Sequence, residues 1–282
     1  MQKLFNKILV PVNFTAGPEV ILEKAAAIAM QYDCSIHLLH VVPYSVAFLP
    51  AMETSGERMP NDIIANKNQL QLQMESLCSS IINVPKNSLQ TSYSIVEGTW
   101  DEVIIDIVNE QQYDLVLIGQ RTRLIQRRKL RINPDIIAQR TNIPVITLPV
   151  NRRITDLCAI VIPVTDFLPI KKLMYGIYLS HQCNSTIKLL GIENKITTTN
   201  LQYYLIKAYY LVKDNCNVPV ELKIVEGSNV EEAVNEFANL NAADLIIMNP
   251  ATETKMRVFL FKLLHRAIQK YSALPVLTIN LA

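Results

Sequence analysis

Ile95-Val96-Glu97-Gly98-Thr99-Trp100-Asp101-Glu102 is matched 129 residues later by Ile224-Val225-Glu226-Gly227-Ser228-Asn229-Val230-Glu231. In both stretches a β-branched run reaches Glu-Gly, and a hydroxyl-x-x-Glu pattern follows. Glycine suits a sharp turn out of a strand, and the hydroxyl with its glutamate has the spacing of a capping box. The chain therefore predicts the same strand-to-helix handover twice. Working outward, Tyr113–Ile118 returns as Ala243–Met248, Ile143–Leu148 as Leu274–Ile279, and Val10-Pro11-Val12 as Ile162-Pro163-Val164. The offset is 152 residues at Val10 and 129 to 131 at the later segments, so the second copy is shorter near its middle. A period this long is a domain duplication.

Each copy alternates short apolar runs with longer helical patterns, the signature of parallel α/β units. In the first copy strands are expected near Lys7–Val12, Ser35–Val42, Ser88–Val96, Asp114–Ile118 and Val145–Val150. Helices are expected near Pro18–Tyr32, Ile63–Ile82, Asp101–Glu110 and Pro134–Thr141. In the second copy strands fall near Cys158–Val164, Ser185–Ile192, Val220–Val225, Asp244–Asn249 and Val276–Asn280. Its helices fall near Ile170–Gln182, Thr199–Asn215, Val230–Leu240 and Val258–Tyr271. The strand runs are apolar nearly throughout, as strands covered on both faces are. Two domains follow, 1–150 and 154–282, joined by the polar Asn151-Arg152-Arg153. Tyr44–Asp62, with Pro50, Gly56 and Pro60, is the one long irregular stretch and has no counterpart in the second copy. An ordinary surface loop and a lid both fit it.

Composition excludes several classes. The 282 residues carry 27 basic and 25 acidic side chains, so no whole-chain field favours nucleic acid. The five cysteines form no CxxC pair and read as thiols of a reducing compartment. His37 and His40 share one apolar run, the other histidines lie apart, and no zinc spacing results. Lys3 and Lys7 run straight into a strand-like segment, unlike a signal peptide. No apolar stretch nears the roughly 18 residues of a membrane span. The expectation is a soluble, cytoplasmic protein without metal or membrane.

The ordered set Ile8–Thr15, Ile36–Val42, Tyr113–Gly119 and Ile143–Val145, repeated as Ile160–Val164, Ala243–Ile247 and Leu274–Val276, resembles the universal stress protein family. The resemblance covers nearly the whole chain as a tandem. It implies two Rossmann-like domains of the adenine nucleotide alpha hydrolase type, each a five-stranded parallel sheet in the order 3-2-1-4-5 between helices. Many members bind ATP at the carboxyl ends of the strands, where open α/β sheets place ligands. Those members carry an acid after the first strand and Gly-x2-Gly-x9-Gly-Ser/Thr after the fourth, whose amides meet the phosphates.

This chain departs from that pattern. In the first copy the acid falls on Asn13, the first glycine is kept as Gly119, the second falls on Thr122, and the Gly-Ser pair on Arg131-Ile132, counting back from Pro144, or one residue later by the signature spacing. In the second copy the glycine positions hold Asn249, Thr252 and Lys262-Leu263, and no glycine follows Gly227. The reading argues against conventional ATP binding in both copies and assigns no cofactor. What remains in the first copy is a vestigial nucleotide or anion pocket at Pro11, Asn13, Val41, Gly119, Arg121 and Arg131.

Arg121, Arg123, Arg127, Arg128, Lys129 and Arg131 crowd one segment without an acid between Leu115 and Pro134. The arginines offer planar bidentate donors to an anion; a solvated charged face fits as well. No aromatics interleave them for base stacking. Asn133-Pro134-Asp135 reads as a helix start with an acid on its positive end. In the second copy the matching segment is an apolar helix, with Met256, Leu260, Leu263, Leu264 and Ala267 in one stripe and Val258, Phe259 and Phe261 outside it. It must bury a second face, in its own domain or against a partner. Trp100 reads as a packing residue, and Asp114 and Asp244 as residues that secure a strand entry. No catalytic set can be argued from spacing. The resemblance further implies that the last strands, Val145–Val150 and Val276–Asn280, pair in an internal pseudo-dimer. The functional expectation is a non-enzymatic stress-response accessory that works through a protein partner or self-association. Its alternative is a nucleotide or anion sensor in the first copy.

Overall fold

The computed structural model describes residues 3–14, 18–42, 60–82, 89–120, 132–149, 157–193, 200–227, 230–249 and 274–280. The linker, most of the Tyr44–Asp62 loop, the arginine segment including Arg121 and Arg131, and the Val258–Tyr271 helix lie outside them. In the first copy the elements are β1 (Lys7–Pro11), α1 (Pro18–Tyr32), β2 (Ser35–Val42), α2 (Pro60–Ile82), β3 (Thr91–Glu97), α3 (Trp100–Gln111), β4 (Leu115–Gln120), α4 (Pro134–Thr141) and β5 (Val145–Pro149). In the second they are β6 (Ala159–Val164), α5 (Ile170–Cys183), β7 (Thr186–Glu193), α6 (Leu201–Asn215), β8 (Val220–Glu226), α7 (Val230–Leu240), β9 (Leu245–Met248) and β10 (Val276–Thr278). The alternating pattern gives these elements in the expected order, with ends shifted by up to three residues.

Two compact units result, one built on Phe5–Ile118 and the other on the chain from Pro134 onward together with Gly119. In the first unit the strand order is β3-β2-β1-β4, all parallel. In the other it is β5-β10-β9-β6-β7-β8. Counted within the second copy alone, β8-β7-β6-β9-β10 is the order 3-2-1-4-5. The architecture is α/β and Rossmann-like. β5 and β10 are the antiparallel pair, with Val145 opposite Thr278, Ile146 opposite Leu277 and Thr147 opposite Val276. Beside that pair, the Lys171 ammonium donates to Asn142 Oδ1 at 2.8 Å and to the Asn280 carbonyl at 3.0 Å.

The inner strands are buried on both faces: β5, β6, β9 and β10 have no exposed residue. The expectation of two covered faces fails for β3 and β8. They end the strand order, and most of β8 is exposed. Lysine and glutamate alternate with apolar residues there, as edge strands require.

Asp114 and Asp244 hold the strand entries symmetrically. Asp114 Oδ2 accepts from the amides of Asn6 (2.9 Å) and Lys7 (3.1 Å). Asp244 Oδ2 accepts from those of Cys158 (2.9 Å) and Ala159 (3.0 Å). A carboxylate so placed satisfies two amides at the start of the first strand of each copy. The Thr99–Glu102 capping box does not form. Thr99 is the N-cap residue, yet its hydroxyl donates to the Glu102 carboxylate and caps no amide. The charged carboxylate is a strong acceptor for the hydroxyl hydrogen bond.

Candidate functional site

Of the residues expected to form a pocket, Pro11 ends β1 and is buried, Asn13 follows it half-buried, and Val41 lies on β2 at 1 % exposure. The pairing of Pro11 with Leu39, extended by Val12 N donating to Leu39 O at 2.8 Å, brings these three to one strand end. Gly119 is half-buried on β4 and belongs to the other compact unit. Arg121 and Arg131 lie outside the described residues.

At the end of β1 and β2, aromatic rings from three separate elements meet. Phe14 packs on His40 with centroids 4.9 Å apart, and His40 meets Trp100 edge-on at 6.0 Å. His40 Nδ1 donates to the Val12 carbonyl at 2.9 Å, which leaves Nε2 as the acceptor nitrogen. Burial lowers the His40 pKa, and the Val12 bond offsets this only in part. Trp100 is 6 % exposed, as a packing residue should be, and its Nε1 has no hydrogen-bond partner among the described residues. The three rings stand at positions 14, 40 and 100, and no contiguous motif links them; only the fold joins them.

The second copy closes the same end by other means. Pro163 corresponds to Pro11, and its carbonyl accepts from the Lys172 ammonium at 2.8 Å. Lys172 is 5 % exposed, with its charge 5.9 Å from the Phe167 ring centre. Gly191 stands where the first copy has His40, and Leu201, Leu205 and Ile224 crowd the space a side chain would take. Asn249, in the Gly119 position, is buried. The amides of Gly98 and Gly227 donate to Val42 and Glu193, so the repeated Glu-Gly ties the third strand to the second in both copies.

A second polar cluster lies on β2 and β3. His37 is 9 % exposed, with Nδ1 2.8 Å from Ser92 Oγ and Nε2 2.9 Å from Ser94 Oγ. Burial first, and then the Lys7 charge, push its pKa down to about 4. The neutral ring donates to one serine and accepts from the other. The unfolded chain takes up a proton as pH falls through the ordinary 6.5, while the folded chain stays neutral until about 4. The stabilisation is complete above pH 6.5 and declines between 6.5 and 4. The loss is on the order of 2 kcal/mol over that window. His37→Gln should therefore flatten the pH dependence of urea unfolding between pH 6.5 and 4. Parallel curves for the two proteins would contradict this. Among the described residues no group of histidine, cysteine, aspartate or glutamate could hold a metal ion. No helix among them is long and apolar enough to cross a membrane.

The strand order 3-2-1-4-5 is the one that the resemblance implies. A family model described as the universal stress protein family matches residues 4–149. The chain belongs to that family. A universal stress protein from Archaeoglobus fulgidus DSM 4304 is similar in structure, with 12 % identity, 98 % of each chain covered and a TM-score of 0.69. A putative universal stress protein from Pseudomonas aeruginosa UCBPP-PA14 is 14 % identical, covers 98 % of this chain and 93 % of its own, and gives 0.59. The cytoplasmic domain of a prokaryotic cation chloride cotransporter is 13 % identical, with 98 % and 96 % covered and a TM-score of 0.53. These likenesses are of fold. No curated protein matches the chain in sequence. Family membership gives this universal stress protein a stress-related role.

Proposed function

We propose that this universal stress protein is a stress-response accessory that acts by binding other proteins, without enzymatic activity and without conventional ATP binding. The observation that carries the reading is the Phe14–His40–Trp100 packing at the end of β1 and β2. Side chains already occupy that strand end, and Asn13 stands there in place of an acid. In the second copy the Lys172–Pro163 contact and the leucines around Gly191 support the same conclusion. The antiparallel β5–β10 pairing supports an internal pseudo-dimer, in which each copy shields an apolar sheet edge of the other. We place the protein in the cytoplasm, on five cysteines that form no CxxC pair and are odd in number.

Isothermal titration of ATP, ADP and AMP into the full chain, at low and at physiological salt, tests the reading. No saturable heat is expected from any of the three. Saturable binding at one site per chain that survives salt would overturn it and restore the sensor reading, with Arg121 and Arg131 as the residues to change. Heat that vanishes with salt would mark a loose electrostatic patch.

A further inference from the structure

β8 closes the strand order of the second copy, and among the described residues no strand lies beyond it. Ile187 N donates to Pro219 O, and Gly227 N donates to Glu193 O. The register between them is unbroken, from Ile187 opposite Val220 to Glu193 opposite Glu226. The odd-numbered residues of β8 therefore turn their amides and carbonyls toward β7. Those of Val220, Leu222, Ile224 and Glu226 point outward, an unbulged row that can template another strand. Leu222 and Ile224 are 42 % and 37 % exposed, and Glu221 and Lys223 are exposed on the opposite face. A groove of about 750 Å³, lined by Lys223, Val225, Phe237 and Leu240, separates the strand from α7.

In the first copy the side chains at the equivalent positions have partners within the chain, and in the second Glu221 pairs with Lys188 of β7 at 2.7 Å. Tyr93, in the place of Leu222, donates its hydroxyl to Glu75 of α2 at 3.1 Å. Ser92 and Ser94, in the places of Glu221 and Lys223, are engaged with His37.

We propose that β8 is the contact through which two copies of this chain associate, antiparallel about a two-fold axis, with Leu222 facing the partner's Leu222. The sequence Val220-Glu221-Leu222-Lys223-Ile224 is self-complementary in that register. Glu221 faces the partner's Lys223, and Lys223 faces the partner's Glu221. Val220 faces the partner's Ile224 on the other side of the sheet. The outward-pointing Val220, Leu222 and Ile224 form the hydrogen-bonded pairs. The charged residues fall at the non-bonded positions, where opposing side chains come closest. A two-fold axis perpendicular to the sheet keeps the two faces distinct, so alternative registers shift by whole pairs. Centring on Lys223 sets one ammonium against another, and centring on Ile224 sets Leu222 against Glu226. Charge and apolarity are both satisfied only around Leu222. The resulting contact is isologous and closed, so it stops at two copies. It is independent of the nucleotide reading.

Sedimentation equilibrium of the full chain over a concentration series tests the contact, with circular dichroism to verify folding of each variant. The unaltered chain should reach twice its mass of 31.9 kDa. Glu221→Lys and Lys223→Glu each place like charges opposite one another twice. Each should weaken association at least about tenfold. The double variant, with both reversals and made with Lys188→Glu so that position 221 keeps its ion pair to β7, restores the complement and should associate again. A chain that stays at 31.9 kDa at every concentration overturns the proposal. So does association that survives both single reversals, or a double variant as weak as the singles.

Discussion

Leu277→Asp is expected to destabilise the compact unit that begins at Pro134 by about 4–5 kcal/mol, at the upper end of single-substitution effects. Leu277 is fully buried on β10, opposite Ile146 of β5 on one side and Ile247 of β9 on the other. An aspartate there either buries an unpaired carboxylate or takes up a proton at a comparable cost. Leu277→Ala removes the same contacts without adding charge and should cost about 2–5 kcal/mol. The excess of the aspartate variant over the alanine variant isolates the charge. Because β5 comes from the first copy and β9 from the second, loosening β10 should expose both. Native-state hydrogen exchange should show amides of Val145–Pro149 and of Leu245–Met248 losing protection together. Retained protection in β5 beside a deprotected β9 would show that the two copies do not share a cooperative strand pair.

Gly191→Val is expected to cost about 3 kcal/mol through overpacking. A Cβ at Gly191 would lie 3.2 Å from Ile224 Cγ1, 3.2 Å from Leu205 Cδ2 and 3.5 Å from Leu201 Cδ1. Valine adds two methyl groups beyond that atom, against a helix whose buried face is formed by Leu201, Leu205, Ala208 and Val212. The gain in strand propensity is at most about 1 kcal/mol and does not offset the clash. Urea unfolding of Gly191→Ala and Gly191→Val should give a graded loss, the alanine variant near the lower end. A neutral valine variant would mean that α6 does not press on β7 at this point.

The same position shows why one kind of feature was legible in the sequence and another was not. The duplicated Glu-Gly handover, the strand runs and the aspartates at the strand entries are patterns of the chain itself. The turns and strand runs are set within a few residues, and the aspartates, whose partners lie 85 to 108 residues away, were legible because the chain repeats them. Gly191 and His40 occupy the same place in the two copies, yet one closes the strand end with neighbouring leucines and the other with aromatic rings. No pattern near either residue announces this, because the neighbours arrive from other elements. The capping box went the other way. Its spacing was present at Thr99 and Glu102, and a side-chain pairing that spacing does not encode took the hydroxyl.

By itself the sequence determined the repeated segments, the α/β alternation, the family and the absence of any glycine after Gly227. These depend on periodicity, turn residues and the presence or absence of particular side chains. Only the tertiary structure decided that β5 and β10 pair antiparallel, that His37 is held neutral between two serines, and that β8 is left as an exposed edge. Those outcomes depend on which segments meet across long separations. The free energy of such meetings comes from burial and hydrogen bonding between residues that are strangers in sequence.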